Sequence, residues 1–266
     1  MRAAGGAMGA RWGDGLRLAF GTFTALPTPH PRTVDRDRWA VAVLAAVLPG
    51  AVLGVIGAVV AVAAVRLGVP DLAAATLAVA AVQFACRGFH LDGLGDTADG
   101  LAAGFDRERA LQVMRSGDAG PAAIASTLLV LLGQVSALAA LLPRPGWQGA
   151  TAFVVAVALA RGWVILPCLG FVPLARPKGL GAGAGRSVAP AAGLVVVLLQ
   201  LLAASALLLL AGFPVWAGAV VAVAGAGTAA LTVWHVVRRL GGVTGDVMGA
   251  VVELTLTAML ITVSAC

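Results

Sequence analysis

The chain has no tyrosine, one lysine, three cysteines and few charges, with Asp, Glu, Lys and Arg making up only 11% of its 266 residues. So little charge beside 60% hydrophobic residues and a mean hydropathy of +0.98 excludes an ordinary soluble domain, in which about half the residues are apolar. Cys86, Cys168 and Cys266 lack metal-ligand spacing, and two of them fall in or beside apolar segments. They read as small packing residues and exclude a cysteine-rich metal site. The missing tyrosine and the single lysine, Lys178, follow a bias toward Ala, Gly, Val and Arg and carry no argument. Basic stretches with interleaved aromatics are also lacking, so the net charge of +6 does not point to nucleic acid. The N-terminal MRAAGGAMGARWGDGLRLAF has arginines but no unbroken apolar core, unlike a signal peptide.

What is present is a series of long apolar runs. A membrane-spanning helix needs roughly 20 apolar residues, and there is room for about seven. The runs lie at 39–65, 72–89, 119–142, 147–172, 188–211, 214–236 and 247–265. The Pro49-Gly50 pair predicts a kink or break inside the first. The expectation is an all-α, polytopic helical bundle forming one membrane-embedded domain over 1–266.

Basic residues orient that bundle. Fifteen of the eighteen Lys and Arg fall in the N-terminal segment 1–38 and in 87–118, 173–187 and 237–246. Only Arg66 and Arg144 belong to the opposite loops, and Arg161 sits inside a span. This bias places the N-terminus, segment 1–38 and segment 90–118 in the cytoplasm. The acids gather on the same side: Asp71 alone belongs to an outer loop, and Glu253 lies within the last span. A multi-pass protein with a site facing the cytoplasm is expected, with the bilayer as its surroundings.

Segment 90–101, HLDGLGDTADGL, concentrates the chemistry. Asp92, Asp96 and Asp99 stand at i, i+4 and i+7, within about 60° of one another on a helix. Three carboxylates on one face repel, and a divalent cation relieves the repulsion. Mg²⁺ suits them, because it takes oxygen ligands and is usually shared between a few carboxylates and a substrate's phosphates. The glycines at 93, 95 and 100 also allow a solvated acidic loop. His90 is a candidate general base or phosphate partner, or a structural imidazole. Arg115 either faces lipid headgroups or clamps a phosphate oxygen with its fork.

Arg161 is costly within a span, by roughly 2.5–3.5 kcal/mol, and such residues usually face a partner or cavity. Asp246 and Glu253 lie two helical turns apart on one face, placed to complete a second metal site or to receive Arg161. The loop GLGAGAG, 179–185, is not a P-loop, since no Gly-Lys-Ser/Thr follows it.

FHLDGLGDTADGL resembles the hallmark of the cobalamin synthase family, the adenosylcobinamide-GDP ribazoletransferases. GGVTGDVMGAVVEL is similar to that family's C-terminal signature, FGTFTALPTP to its N-terminal element, and ALARGW to its mid-chain arginine stretch. The matches run in order from about residue 18 to 255. One departure follows Met114-Arg115, where the family commonly has Asp-Ser-Arg-x-Gly and this chain has Ser116-Gly117-Asp118.

The resemblance implies a Mg²⁺-dependent transferase that joins adenosylcobinamide-GDP to α-ribazole or its 5′-phosphate and releases GMP. It implies that Asp92, Asp96 and Asp99 hold the metal, with His90 or one of the aspartates as base. Arg115 and Arg161 would steady phosphates, and Asp246 and Glu253 would complete the site. It leaves room for other cobalamin-assembly enzymes, or a second copy of the chain, as partners. A CDP-alcohol phosphotransferase expects Asp-Gly-x-x-Ala-Arg, which fails here at Asp96 and beyond. A cation-coupled transporter expects acids spread through its spans and an internal repeat, and neither is evident.

Overall fold

The computed structural model describes residues 2–266 as a bundle of α-helices, with two isolated β-bridges and no strand among them. The N-terminal segment forms α1 (Arg2–Phe23) and α2 (Arg36–Leu44), which pack together. Asp14, buried on α1, accepts from the Arg32 backbone N–H at 3.1 Å and from Arg17 at 3.0 Å, fastening the intervening loop.

The first apolar run divides where its proline requires. Pro49 has no N–H to return to the carbonyl of residue 45, and its ring would crowd that carbonyl. The helix therefore stops at Leu44 and restarts as α3 (Val47–Arg66), with Pro49 in the first turn where a missing donor costs nothing. Then follow α4 (Asp71–Ala85), α5 (Phe89–Ala102), α6 (Arg107–Ser116), α7 (Pro121–Leu141) and α8 (Gln148–Gly162), the last extended by a 3₁₀ turn at Trp163–Ile165. After a long loop come a short α9 (Leu180–Ala184), α10 (Pro190–Leu210), α11 (Ala217–Leu240) and α12 (Gly245–Ser264).

Six of these helices are long and apolar enough to cross a membrane, or up to seven crossings if the sharply bent pair α4–α5 counts as one. Six of the seven expected runs are helices of spanning length, and the second, 72–89, is the 15-residue α4 with the turn after it. The pair bends by 89°, so it makes no straight span. We place α5 across the end of the bundle, outside the membrane-spanning segments.

α8 and α12 form the centre, buried along most of their length. α3 lies tightly on α8 because Gly50 and Gly54, four residues apart, bring the backbones together: a Cβ on Gly54 would lie 2.9 Å from the Val154 Cα. α10 lies outside, with Leu199, Leu202 and Leu210 each at least 60% exposed. A row of bare leucines is unstable against water and natural against lipid tails.

Candidate active site

The acidic motif is aimed by the turn before it. α4 ends in a Schellman motif, in which the Gly88 N–H reaches the Gln83 carbonyl at 2.8 Å and the Arg87 N–H reaches Phe84 at 3.1 Å. Arg87 (φ 60°) and Gly88 (φ 63°) are both left-handed. For arginine this conformation is strained, and its side chain is tied down by donation to the Gly21 carbonyl at 3.0 Å.

Two glycines then set α5 against α12. A Cβ on Gly93 would lie 2.7 Å from the Asp246 carbonyl oxygen, and one on Gly249 3.0 Å from that of His90. This close crossing is what sets Asp92 beside Asp246.

A third segment closes over them. The Ala175 N–H donates to the Val243 carbonyl at 3.0 Å and the Val243 N–H to Pro173 at 2.9 Å, stapling residues 173–175 to the turn before α12. Arg176 is thereby held over Asp246, with Nη1 3.5 Å from Oδ2, while Nη2 donates to the Leu111 carbonyl at 2.6 Å. Thr244 caps α12, accepting from the Val247 N–H, and its hydroxyl donates to Asp246 at 3.2 Å.

Two cavities meet at Asp92 and Phe89. One, of about 200 Å³, is lined by Asp92, Asp246, Thr244, Arg176, Lys178 and the glycine-rich loop. The other, of about 700 Å³, is lined by Arg87, Asp92, Asp96 and apolar side chains that include Leu91, Ile124 and Leu128. Asp92 therefore stands in the wall shared by both.

Asp96 is half-buried. Burial, and then the negative charges of Asp92, Asp246 and Asp99, push its carboxyl up to about 6. Burial also lowers Arg176, against the attraction of Asp246, and the nearby charge of Arg115 lowers it further.

The remaining expected residues take different places. Each oxygen of Asp99 accepts a backbone N–H from the start of α7, from Gly120 at 2.6 Å and Ala123 at 2.9 Å. Among the described residues, no three His, Cys, Asp or Glu side chains converge as a ready-made metal cluster. His90 is buried between Phe23 and Phe89, with ring centroids 5.6 and 5.5 Å away, and neither ring nitrogen has a partner. Burial, with the charge of Arg161, pushes its imidazole well below the ordinary range. Arg115 is exposed on α6.

Arg161 and Glu253 are fully buried and line neither cavity. Arg161 donates to Val157 of its own helix at 3.3 Å. Glu253 accepts from the side-chain amides of Gln83 (3.2 and 3.3 Å) and Gln134 (2.8 Å). Asp246 and Glu253 share α12 but not a cavity.

Arg176, Lys178, Gln83 and Gln134 were not foreseen. The first two stand in the sequence only as members of an inner basic loop. The two glutamines carry no periodic or charge signal.

A family model described as cobalamin-5-phosphate synthase matches residues 15–264. The chain belongs to the cobalamin-5-phosphate synthase family. It is 42% identical over 249 residues to an adenosylcobinamide-GDP ribazoletransferase of Nocardioides sp., covering 93% of this chain and 97% of that one. The ribazoletransferase of Frankia casuarinae is 36% identical over 92% of both chains. That of Pseudomonas fluorescens is 39% identical over 74% of this chain and 77% of its own. No solved structure matches. Membership makes the chain an enzyme of cobalamin synthesis, and its apolar helices make it a multi-pass membrane protein.

Proposed function

We propose that this enzyme joins adenosylcobinamide-GDP to α-ribazole, or to α-ribazole 5′-phosphate, at the cytoplasmic face of the membrane. The observation that carries the proposal is the position of Asp92 in the wall between two cavities, the arrangement a two-substrate transfer needs. The names of the relatives supply the substrate pair.

In the reaction, a ribose hydroxyl oxygen attacks the phosphorus that bears the cobinamide. The new P–O bond forms as the bond from that phosphorus to the oxygen bridging to GMP breaks. GMP leaves with that bridging oxygen and its electron pair. The hydroxyl proton passes to a carboxylate lining the wider cavity. Asp92 and Asp96 line it, whereas His90 is walled into an apolar pocket with Phe23, Trp39 and Met248. Asp99 contributes by holding the start of α7, which forms one side of that cavity.

The donor set suits Mg²⁺. Carboxylate oxygens are hard ligands, and a site that awaits a diphosphate needs only one or two of them from the protein. Burial raises the carboxyl of Asp96 first, and the negative charges of Asp92, Asp246 and Asp99 add to it. Asp92, which lines both cavities, together with Asp96 on the wider one or Asp246 on the smaller, would hold the ion. An ion held there would supply charge neutralisation to the diphosphate and the leaving phosphate.

The test is GMP release from adenosylcobinamide-GDP plus α-ribazole in detergent or liposomes, with and without Mg²⁺. The expected result is GMP formation that requires both substrates and the metal, and that falls at least a hundredfold in Asp92→Asn. A well-folded protein that turns over neither substrate would remove the assignment.

A further inference from the structure

The smaller cavity is lined by both signs of charge: Asp92 and Asp246, and beside them Arg176 and Lys178. The guanidinium of Arg176 is only partly used: Nη2 is satisfied by Leu111, Nη1 reaches Asp246 at the long distance of 3.5 Å, and Nε is buried with no partner. A buried N–H without an acceptor is expensive to keep, and a fork so placed matches an anion with several oxygens. Lys178 is exposed beside it, with no hydrogen bond or ion pair among the described residues.

Carboxylates that draw a cation, beside cations that draw an anion, suit a phosphate ester bound with its counter-ion. The wider cavity is different in kind. Apart from Arg87, Asp92 and Asp96 it is lined by glycines, one threonine and apolar side chains.

Resting on the proposed reaction, we infer that Arg176 and Lys178 hold the phosphate that departs with the guanosine. They thereby bind the nucleotide-bearing substrate and leave the ribazole acceptor, α-ribazole in the test below, to the wider cavity. The staple between residues 173–175 and Val243 fixes the backbone beside Arg176, and the Leu111 carbonyl and Asp246 hold its guanidinium.

The test uses the full-length enzyme in detergent and reads three constants: KM for adenosylcobinamide-GDP, KM for α-ribazole, and the inhibition constant of added GMP. Arg176→Gln is expected to raise the first and third at least tenfold while α-ribazole's KM stays within twofold. Arg176→Lys, which keeps the charge and loses the fork, should fall between. Lys178→Gln, on an exposed side chain, repeats the test where folding is not at stake, and the exposed Arg109→Gln serves as control.

If neither the nucleotide KM nor the GMP constant moves, or if the KM for α-ribazole rises equally, the inference is overturned. Wild type and Arg109→Gln both failing to release GMP would instead sink the reaction itself. An active wild type with an indifferent Arg176→Gln sinks only the assignment of the phosphate.

Discussion

At the scale of single residues, the acids of this chain are visible because charge is scarce, but their partners are not. Asp92 and Asp99 look alike in sequence, yet one is exposed at a cavity and the other caps a helix that begins some twenty residues later. Nothing in a spacing of i, i+4, i+7 reveals that. Their substitutions should separate accordingly. Asp99→Ala orphans two backbone N–H groups and is expected to cost about 2 kcal/mol, whereas Asp92→Ala should stay within about 0.5 kcal/mol of wild type. Denaturation in detergent checks both, and equal losses would refute the distinction.

Glu253 poses a similar case. The sequence marks it as an intramembrane acid and pairs it with Arg161 or a metal, while its hydrogen bonds come from two glutamines that no pattern singles out. Glu253→Ala strands both amides and is expected to cost about 3 kcal/mol. Asp71→Ala, at a distant helix start, should change little. A thermal unfolding series over the two would show the gap as a difference of many degrees.

At the scale of elements, the seven runs were legible because bilayer thickness imposes a length on apolar sequence. Breaks were legible where a residue forces them, as at Pro49. The bend between α4 and α5 was not, since Arg87 holds a left-handed conformation that a sequence reading assigns to glycine or asparagine. Contacts between helices were also hidden, because a glycine that admits a neighbouring backbone reads the same as one that faces open space.

Paired substitutions expose the difference. Gly227 on α11 has nothing within 4 Å of an added Cβ, so Gly227→Ala should be neutral or stabilise by up to about 1 kcal/mol through helix propensity. Gly54→Ala drives a methyl into the Val154 backbone and should lower the melting temperature. Gly93→Ala pushes α5 away from Asp246 and should cost activity more than stability. The prediction fails if all three variants behave alike.

At the scale of the molecule, one asymmetry joins topology to chemistry. The loops that hold nearly all the cations also hold the acids of the site, because the 87–118, 173–187 and 237–246 segments converge at one end of the bundle. The positive-inside bias predicts that this end faces the cytoplasm, where nucleotide substrates are made. A cysteine-labelling experiment decides the orientation. Cys86 and Cys168 are buried, and Cys266 can be replaced by serine to clear the background. Arg66→Cys, at the exposed last residue of α3, should react with a membrane-impermeant maleimide in intact cells. Arg109→Cys, exposed on α6 beside the site, should react only after the membrane is opened. The reverse pattern would put the paired cavities outside the cell, where a GDP-bearing substrate would have to be exported to reach them, and the proposed reaction would lose its setting.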